Sequence, residues 1–294
     1  PEPTITHTRT SPLPTQSLSQ TPEPTASQTA TITPTPTPFI RFAVIGDLAP
    51  AGEAAEALAN LVKSWEPEII LTTGDNNWPD GEAEFIDENI GQYYSDFISP
   101  YYGEFGPGGD INRFFPTLGN HDLMTLKGQP YFDYFTLPNN ERYYDFSWGP
   151  VHFFALNADS REPDGVGCSS IQAQWFQETI AASTSPWKVV YFHQSPFSSG
   201  PHGSIDWMQW PFEEWGASIV LSGHNHVYER LEVNGLTYIV NGLGGGPQYV
   251  FDGILDETIV QYRDKNGAIL VEATHATLHL MFITVDGEII DEIT

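Results

Sequence analysis

The sequence predicts an α/β protein built as a four-layer αββα sandwich, in which two mixed sheets pack face to face between outer helices. Strands alternate with amphipathic helices in the first part of the chain, and strands follow one another in the last part. This order is typical of two packed sheets covered by helices. In addition, short blocks of metal-ligand residue types follow apolar runs, at the strand ends where open α/β sheets bind their ligands.

The first elements form a βαβ unit. The apolar run Ile40–Ile45 predicts a strand, and Glu53–Trp65 predicts a helix because its apolar residues recur at three- and four-residue spacing. Pro67 ends this helix, and Ile69–Thr73 is the next strand. Strands joined by a helix run parallel, so the residues that follow the two strands emerge at the same edge of the sheet.

The middle of the chain is less regular. The segment from Trp78 to Phe115 is rich in Gly, Pro and Tyr and predicts a helix followed by a long loop. Long irregular segments inside a domain usually have a function, so we expect this one beside the substrate. Its aromatic part, Tyr93–Tyr102, either stacks on a base or packs the domain. Next come a strand at Val151–Asn157 and an amphipathic helix at Ile171–Ala182.

Strand-like runs dominate from residue 188 onwards. They are Lys188–Phe192, Ser218–Ser222, Leu236–Val240, Ala268–Glu272, Leu278–Val285 and Glu288–Ile293. Gly or Asp-Gly turns separate the later runs, and Asp286-Gly287 predicts a hairpin between the last two. The glycine run Gly242–Gly246 lacks the lysine of a phosphate-binding loop, so we interpret it as a tight turn near the site.

Five blocks of metal-ligand residue types divide the chain, and four of them directly follow a predicted strand. The blocks are Gly46-Asp47, Gly74-Asp75-Asn76-Asn77, Gly119-Asn120-His121-Asp122, His193 and Gly223-His224-Asn225-His226. Hard and borderline divalent metals bind carboxylate, amide oxygen and imidazole, and the blocks supply this mixture. Asp75 has two oxygens with which to bridge two ions, and Asn120 adds a neutral oxygen. The set predicts a dinuclear metal centre.

Residues 1–38 differ in composition from the rest of the 294-residue chain. They are mostly Pro, Thr, Ser and Gln. Such a segment buries too little apolar surface to fold, so we expect an extended stalk, which also resembles an O-glycosylated spacer. Residues 39–294 then form one catalytic domain. The chain starts with this stalk rather than with a methionine, so we expect a processed protein that is secreted or tethered to the surface of a bacterial cell.

The charge of the chain limits its partners. The net charge is −27, with 11 Lys and Arg against 38 Asp and Glu. A large nucleic-acid partner is excluded because a basic surface is missing. No apolar run is long enough to span a membrane. An anionic substrate needs local positive charge, which bound metal ions supply. We expect a monomer that acts on a small phosphorylated molecule.

The blocks as a set resemble the calcineurin-like metallophosphoesterases, and within them the purple acid phosphatases. The family pattern is Gly-Asp, Gly-Asp-x-x-Tyr, Gly-Asn-His-Glu/Asp, a lone His after a strand, and Gly-His-x-His. Three further runs are similar to the purple acid phosphatase branch: Asn112-Arg113-Phe114-Phe115-Pro116, Ser198-Ser199-Gly200-Pro201-His202-Gly203 and Gly223-His224-Asn225-His226-Val227-Tyr228-Glu229-Arg230. The resemblance covers roughly residues 40–294 and implies the metallo-dependent phosphatase fold.

The resemblance also implies a ligand set and a reaction. The first metal has the ligands Asp47, Asp75 and His226. The second has the ligands Asp75, Asn120, His193 and His224. The two ions, Fe, Zn or Mn, lower the pKa of a bound water, and the resulting hydroxide hydrolyses a phosphate monoester. His121 protonates the leaving group or stabilises the transition state, and His202 contacts the phosphate.

Two positions depart from the family pattern. The tyrosine that ligates ferric iron in purple acid phosphatases is replaced by Trp78, whose indole N–H is only a donor. The histidine that other family members carry two residues after the first Asp is replaced by Ala49. The first metal therefore keeps three evident protein ligands, and we expect no ferric charge-transfer colour.

Two alternatives stay open. One is a phosphodiesterase that acts on nucleotides or glycerophosphodiesters. The other is a non-catalytic surface-binding protein that keeps the fold but has lost affinity for the first metal through Ala49 and Trp78. A serine hydrolase is excluded, because the sequence contains no Gly-x-Ser-x-Gly.

Overall fold

Two mixed β-sheets form the centre of the structure. The computed structural model describes residues 39–294. The stalk predicted for residues 1–38 lies outside the described residues, so it and the surface location inferred from it stay predictions. Within residues 39–294, no helix is both long enough and apolar enough to cross a bilayer.

The first sheet has six strands in the order β13-β12-β11-β1-β2-β3. Their bounds are Ile40–Ile45 (β1), Ile69–Thr72 (β2), Phe114–Pro116 (β3), Gly267–Ala273 (β11), Leu278–Thr284 (β12) and Ile289–Ile293 (β13). β1, β2 and β3 run parallel to one another, and the remaining neighbours are antiparallel. The predicted βαβ unit and the hairpin at Asp286-Gly287 are both present.

The second sheet has seven strands in the order β10-β8-β9-β7-β6-β5-β4. Their bounds are Tyr144–Trp148 (β4), Val151–Ala155 (β5), Trp187–Tyr191 (β6), Ile219–Ser222 (β7), Tyr228–Val233 (β8), Leu236–Asn241 (β9) and Thr258–Tyr262 (β10). β5, β6, β7 and β9 are parallel, and β4, β8 and β10 pair antiparallel to their neighbours.

Helices cover the outer faces of the two sheets. They are Glu53–Ser64 (α1), Gln92–Tyr94 (α2), Gln129–Tyr134 (α3) and Ile171–Ala182 (α4), with a helical turn at Asp87–Gly91 that leads into α2. α1 begins with two glutamates and ends near Lys63, which suits the helix dipole. α4 begins at Ser170, whose hydroxyl accepts a hydrogen bond from the backbone N–H of Ala173 at 3.1 Å.

The alternation of side chains along the strands creates two apolar layers. In β6, Val189 and Tyr191 face the core between the sheets. Val190 lies on the opposite face and packs with Phe176 of α4. Aromatic pairs join the two sheets, such as Tyr228 and Phe282, whose ring centroids are 4.1 Å apart. The predicted α/β sandwich of two mixed sheets is confirmed.

The predicted elements that the structure contains begin and end within two residues of their observed bounds. Four strands were not predicted: Phe114–Pro116, Tyr144–Trp148, Tyr228–Val233 and Thr258–Tyr262. For three tyrosines of the aromatic segment Tyr93–Tyr102, the structure favours packing of the domain over stacking on a base. Tyr93 and Tyr94 are buried in the core, and the hydroxyl of Tyr101 donates to Asp87 at 2.6 Å, so these rings pack the domain. The start of the segment, at Trp78, does reach the candidate site.

Candidate metal centre

All five predicted blocks lie at the carboxyl ends of strands, because the third follows the unpredicted strand β3. β1, β2 and β3 belong to one sheet, and β6 and β7 belong to the other. Their ends meet at a common edge. Three of the candidate ligands, Asp47, Asp75 and His224, have left-handed backbone conformations with φ of 57°, 52° and 69°. Non-glycine residues rarely adopt this conformation outside turns and functional sites.

Four of the candidate ligands bring their donor atoms to one point, and we call them the four-donor set: Asp75, Asn120, His193 and His224. His193 Nε2 lies 3.1 Å from Asp75 Oδ2, 3.1 Å from Asn120 Oδ1 and 3.2 Å from His224 Nδ1. His193 Nδ1 donates to the carbonyl of Thr73 at 2.8 Å, so Nε2 carries the lone pair of the neutral ring. Lone-pair atoms this close together repel one another unless a proton or a metal ion lies between them, and Asp75, His193 and His224 can hold a metal ion.

The pKa values of the histidines in the four-donor set also indicate that positive charge is favoured between the donor atoms. Burial acts to lower the pKa of His193, but the carboxylates of Asp75 and Asp47 raise it to about 10. Burial and the neighbouring His193 lower the pKa of His224 to about 2. In the metal-free protein His193 is therefore protonated on Nε2, and this proton occupies the position that a metal ion would take. Metal binding would displace this proton.

The remaining two candidate ligands, Asp47 and His226, form what we call the two-donor set. Asp47 Oδ1 lies 3.4 Å from His226 Nε2 and is buried without a hydrogen-bond partner within residues 39–294. Asp47 Oδ2 accepts from the backbone N–H of His224 at 2.9 Å, and His226 Nδ1 donates to the Pro247 carbonyl at 2.9 Å. The two free donor atoms therefore face each other, and a cation would satisfy both.

Asp75 acts on both donor sets. It raises the pKa of His193 and, together with the closer Asp47, raises the pKa of His226 against the effect of burial. Its Oδ1 accepts from the backbone N–H of His121 at 2.8 Å, while its Oδ2 faces His193. Gly119 permits this approach, because a Cβ at that position would overlap the Asp75 carboxylate. Asp75 therefore influences the histidines of both donor sets.

Apolar groups occupy the positions where the sequence departs from the family pattern. The indole of Trp78 stacks on the His121 ring at 3.7 Å between centroids and meets His226 edge-on at 5.7 Å. Its Nε1 is buried without an acceptor among the described residues. The methyl group of Ala49 packs against Gly245. Neither residue supplies a ligand atom, so the two-donor set gains nothing from them.

The two predicted catalytic histidines both border the centre. The Nδ1 of His121 bonds to the carbonyl of Pro79, which together with the stacking on Trp78 fixes the ring. His202 is exposed, and its ring stacks on His224 at 4.2 Å. Burial of part of the ring and the nearby His226 lower the pKa of His202, so its neutral form is favoured.

Asp122 ties two of the blocks together, a role that sequence reasoning did not assign. This buried carboxylate accepts backbone N–H bonds from Gly119 at 2.8 Å, from Asn76 at 3.0 Å and from Asn77 at 3.1 Å. Burial and the neighbouring Asp75 raise its pKa to about 6. Its place three residues after Gly119 in a ligand block was the available signal.

Glu229 anchors the loop that carries His202. The glutamate is fully buried and accepts from the Ser199 backbone N–H at 2.7 Å, the Ser199 hydroxyl at 2.6 Å and the Thr258 hydroxyl at 2.8 Å. Asn225 holds the other side of the loop, since its Oδ1 accepts from the backbone N–H of His202 at 2.9 Å. The polar residues between and after the two histidines of the last block therefore position His202.

Two further residues at the site carried no sequence signal. Tyr249 stacks on His226 with ring centroids 4.2 Å apart and planes 2° from parallel, and its edge meets His202. Arg161 donates from Nη2 to the backbone carbonyl of Asn120 at 3.0 Å and forms an ion pair with Asp159 at 2.7 Å. Tyr249 therefore lies beside the two-donor set, and Arg161 lies beside the four-donor set.

Comparisons with known proteins agree with this geometry. The family model for calcineurin-like phosphoesterases matches residues 40–228. Purple acid phosphatase 15 of Arabidopsis thaliana is 27% identical over 245 residues, which cover 70% of this chain and 45% of that protein. The chain thus spans less than half the length of this curated relative.

Solved structures share the fold at low sequence identity. A purple acid phosphatase from yellow lupin (Lupinus luteus) seeds superimposes with a TM-score of 0.69 at 18% identity, over 87% of this chain and 53% of that chain. GAP50 of Plasmodium, named as the anchor in the inner membrane complex, superimposes with a TM-score of 0.65 at 17% identity, over 87% and 88% of the two chains. From the family match and the donor sets together, the chain belongs to the calcineurin-like phosphoesterase family of metal-dependent hydrolases.

Proposed function

We propose that this protein hydrolyses phosphate monoesters at a dinuclear metal centre. The observation that carries this proposal is the convergence of three donor atoms, from Asp75, Asn120 and His224, on His193 Nε2 at distances of 3.1–3.2 Å. Asp75, Asn120, His193 and His224 would hold one ion. Asp47 and His226 would hold the other and share Asp75. Fe, Zn and Mn all suit this mixture of oxygen and imidazole donors.

The protein residues around the ions then complete the chemistry. When bound, a pair of such ions polarises phosphoryl oxygens and makes water a nucleophile at neutral pH. The Pro79 carbonyl accepts the Nδ1 proton of His121, which leaves Nε2 as the ring nitrogen that can face the substrate. Nε2 of His121 is then the atom that passes a proton to the departing alkoxide. His202, in its neutral form, donates one N–H to the phosphate.

The non-catalytic alternative has one observation in its favour, the small number of ligands in the two-donor set. A chain that holds only one ion would keep the fold and bind anions without turnover. Against this stand His121 and His202, which are held beside the donors by specific contacts that simple retention of the fold does not need.

Elemental analysis combined with a pair of matched esters tests the proposal. We expect two ions per chain after incubation with Fe²⁺, Zn²⁺ or Mn²⁺, and a higher kcat/KM for phenyl phosphate than for methyl phenyl phosphate. His193→Ala should abolish hydrolysis. His279→Ala is the control and should not, because His279 lies on β12 and pairs with Glu292 of β13. A higher kcat/KM for the diester would favour the phosphodiesterase. No hydrolysis of either ester by protein that contains two ions would contradict catalysis altogether.

A further inference from the structure

A cavity of about 370 Å³ opens beside the four-donor set. The segment between β3 and β4, which includes α3, and the loop after β5 form its walls. Leu123, Phe132 and Pro163 give it an apolar lining, and three cationic side chains, Lys127, Arg142 and Arg161, stand around this lining. Neither the metal ligands nor the two catalytic candidates account for this cavity.

The cavity adjoins the metal centre through shared residues. Arg161 lines it and donates to the Asn120 carbonyl at 3.0 Å, while the side chain of Asn120 belongs to the four-donor set. One loop carries Asn120, then His121, and then the cavity residues Leu123 and Lys127. The proposed proton donor to the leaving group and the cavity wall are therefore neighbours on the same loop.

The charges around the cavity are unusual for this protein. Its net charge is −27, yet three of its eleven Lys and Arg side chains line this one cavity. Arg142 pairs with Glu162, which also lines the cavity, at 3.0 Å and with Asp164 at 2.5 Å, and Arg161 pairs with Asp159 at 2.7 Å. Lys127 forms no ion pair with any residue from 39 to 294. Its ammonium is therefore the one cation of the cavity lining that has no paired carboxylate within the described residues.

The backbone that presents Lys127 is strained. Leu126 and Lys127 both have left-handed conformations, with φ of 48° and 58°, and Gly128 follows with φ of 87°. Two successive non-glycine residues in this region are costly and persist where the surroundings enforce them. Here the Thr125 hydroxyl donates to the Asp80 carbonyl at 2.6 Å, and the N–H of Gly128 donates to the Thr125 carbonyl at 3.0 Å.

We propose that this cavity binds the alcohol portion of the phosphate ester and selects alcohols that combine an apolar body with a second anionic group. The apolar body lies against Leu123, Phe132 and Pro163, and the anionic group pairs with Lys127. This specificity rests on the proposed monoesterase function. It accounts for a lysine without an ion pair on the strained loop that also carries His121, the proposed proton donor to the leaving alcohol.

Three esters with one aromatic ring test the preference: phenyl phosphate, 4-carboxyphenyl phosphate and 1,4-phenylene bisphosphate. We expect kcat/KM to be about 3–10-fold higher for the charged esters, the gain of a partly exposed charge-assisted contact. Lys127→Gln should remove this difference. Lys188→Gln is the matched control, because Lys188 lies near the start of β6, away from the strand ends that form the site, and also forms no ion pair within the described residues. A gain with one charged ester alone identifies the anionic group as carboxylate or phosphate.

Binding of the alcohol product separates failure of this proposal from failure of the proposed function. Titration calorimetry of the protein should show tighter binding of 4-hydroxybenzoate than of phenol, and Lys127→Gln should abolish the difference. This result in a protein that hydrolyses no ester would support the cavity and reject the monoesterase. Hydrolysis of all three esters with equal kcat/KM, unchanged by Lys127→Gln, would overturn the cavity proposal and leave the monoesterase intact.

Discussion

The two donor sets lie in one cleft but are built differently. In the four-donor set, donors from both sheets converge on His193 Nε2 at 3.1–3.2 Å. In the two-donor set, Asp47 Oδ1 and His226 Nε2 are 3.4 Å apart, and the aromatic faces of Trp78 and Tyr249 take up the adjoining space. Both sets fix a histidine ring through a backbone carbonyl, that of Thr73 in one and that of Pro247 in the other.

The two sets differ in the number of their donor atoms and not in how their histidine rings are oriented. In each set the histidine Nδ1 contacts a backbone carbonyl, which leaves Nε2 as the ring nitrogen that can ligate a metal ion. The indole of Trp78 has no lone pair to offer an ion, and Tyr249 presents the face of its ring to His226. We therefore expect the four-donor set to hold its ion more tightly. The variants below test whether the two donor sets differ in this way.

Asp75→Ala should have the largest effect, because Asp75 belongs to the four-donor set and acts on His226 as well. We expect loss of both ions, and a fall in metal affinity larger than the roughly 10–100-fold that outer-shell substitutions cause. Metal content after dialysis measures this. Asp145→Ala is the control, since Asp145 pairs with His152 on β4 and β5. Wild-type metal content in Asp75→Ala would disprove the shared ligand.

His121→Ala should leave both donor sets intact and remove the proton donor. Its backbone N–H still donates to Asp75, so we expect unchanged metal content and a rate loss of about 10²–10⁴-fold for esters of poor leaving groups. The loss should shrink for 4-nitrophenyl phosphate, whose leaving group needs no proton. An equal loss for good and poor leaving groups would assign His121 to binding instead.

Glu229→Gln should weaken the positioning of His202 and leave both donor sets unchanged. One carboxylate oxygen accepts the backbone N–H of Ser199 and the other accepts its hydroxyl. A glutamine amide has only one oxygen, and its NH₂ group cannot accept the second bond. We expect KM to rise about tenfold, the equivalent of roughly 1.4 kcal/mol, with metal content unchanged.

A double-mutant cycle with His202→Ala provides the control for Glu229. If the glutamate acts by positioning His202, the double variant should be no worse than His202→Ala alone. Fully additive losses would show that Glu229 has a separate structural role, which a fall in Tm would accompany.

Trp78→Tyr should have a smaller effect, on the two-donor set alone. A phenolate at the place of the indole edge near His226 would add a third donor to Asp47 and His226. We expect slower loss of the weaker ion and, in the iron-loaded variant, a visible absorption band that the wild-type protein lacks. A visible band in wild-type protein would mean that another tyrosine, such as Tyr249, already ligates the metal.

The parts of the structure that could be predicted depend on local sequence. Apolar periodicity located α1, α4 and the buried strands, and ligand chemistry at strand ends located both donor sets. Tyr144–Trp148 was missed because this strand at the sheet edge is only partly buried and contains Asp145 and Ser147. Phe114–Pro116 was missed because it has only three residues.

The supporting residues of the site depend on long-range pairing and could not be predicted. Glu229 accepts from Ser199, which is 30 residues away in the sequence. Tyr249 reaches His226 from a loop without periodicity, and Arg161 reaches Asn120 across 41 residues. A single sequence does not reveal which loops the two sheets bring together.

Calorimetric titration of the metal-free protein with Zn²⁺ tests the contrast between the two donor sets most directly. We predict two binding steps of unequal affinity. His193→Ala should remove the tighter step, and His226→Ala should remove the weaker step while leaving the tighter one. Two steps of equal affinity, or loss of the tighter step in His226→Ala, would contradict tighter binding by the four-donor set.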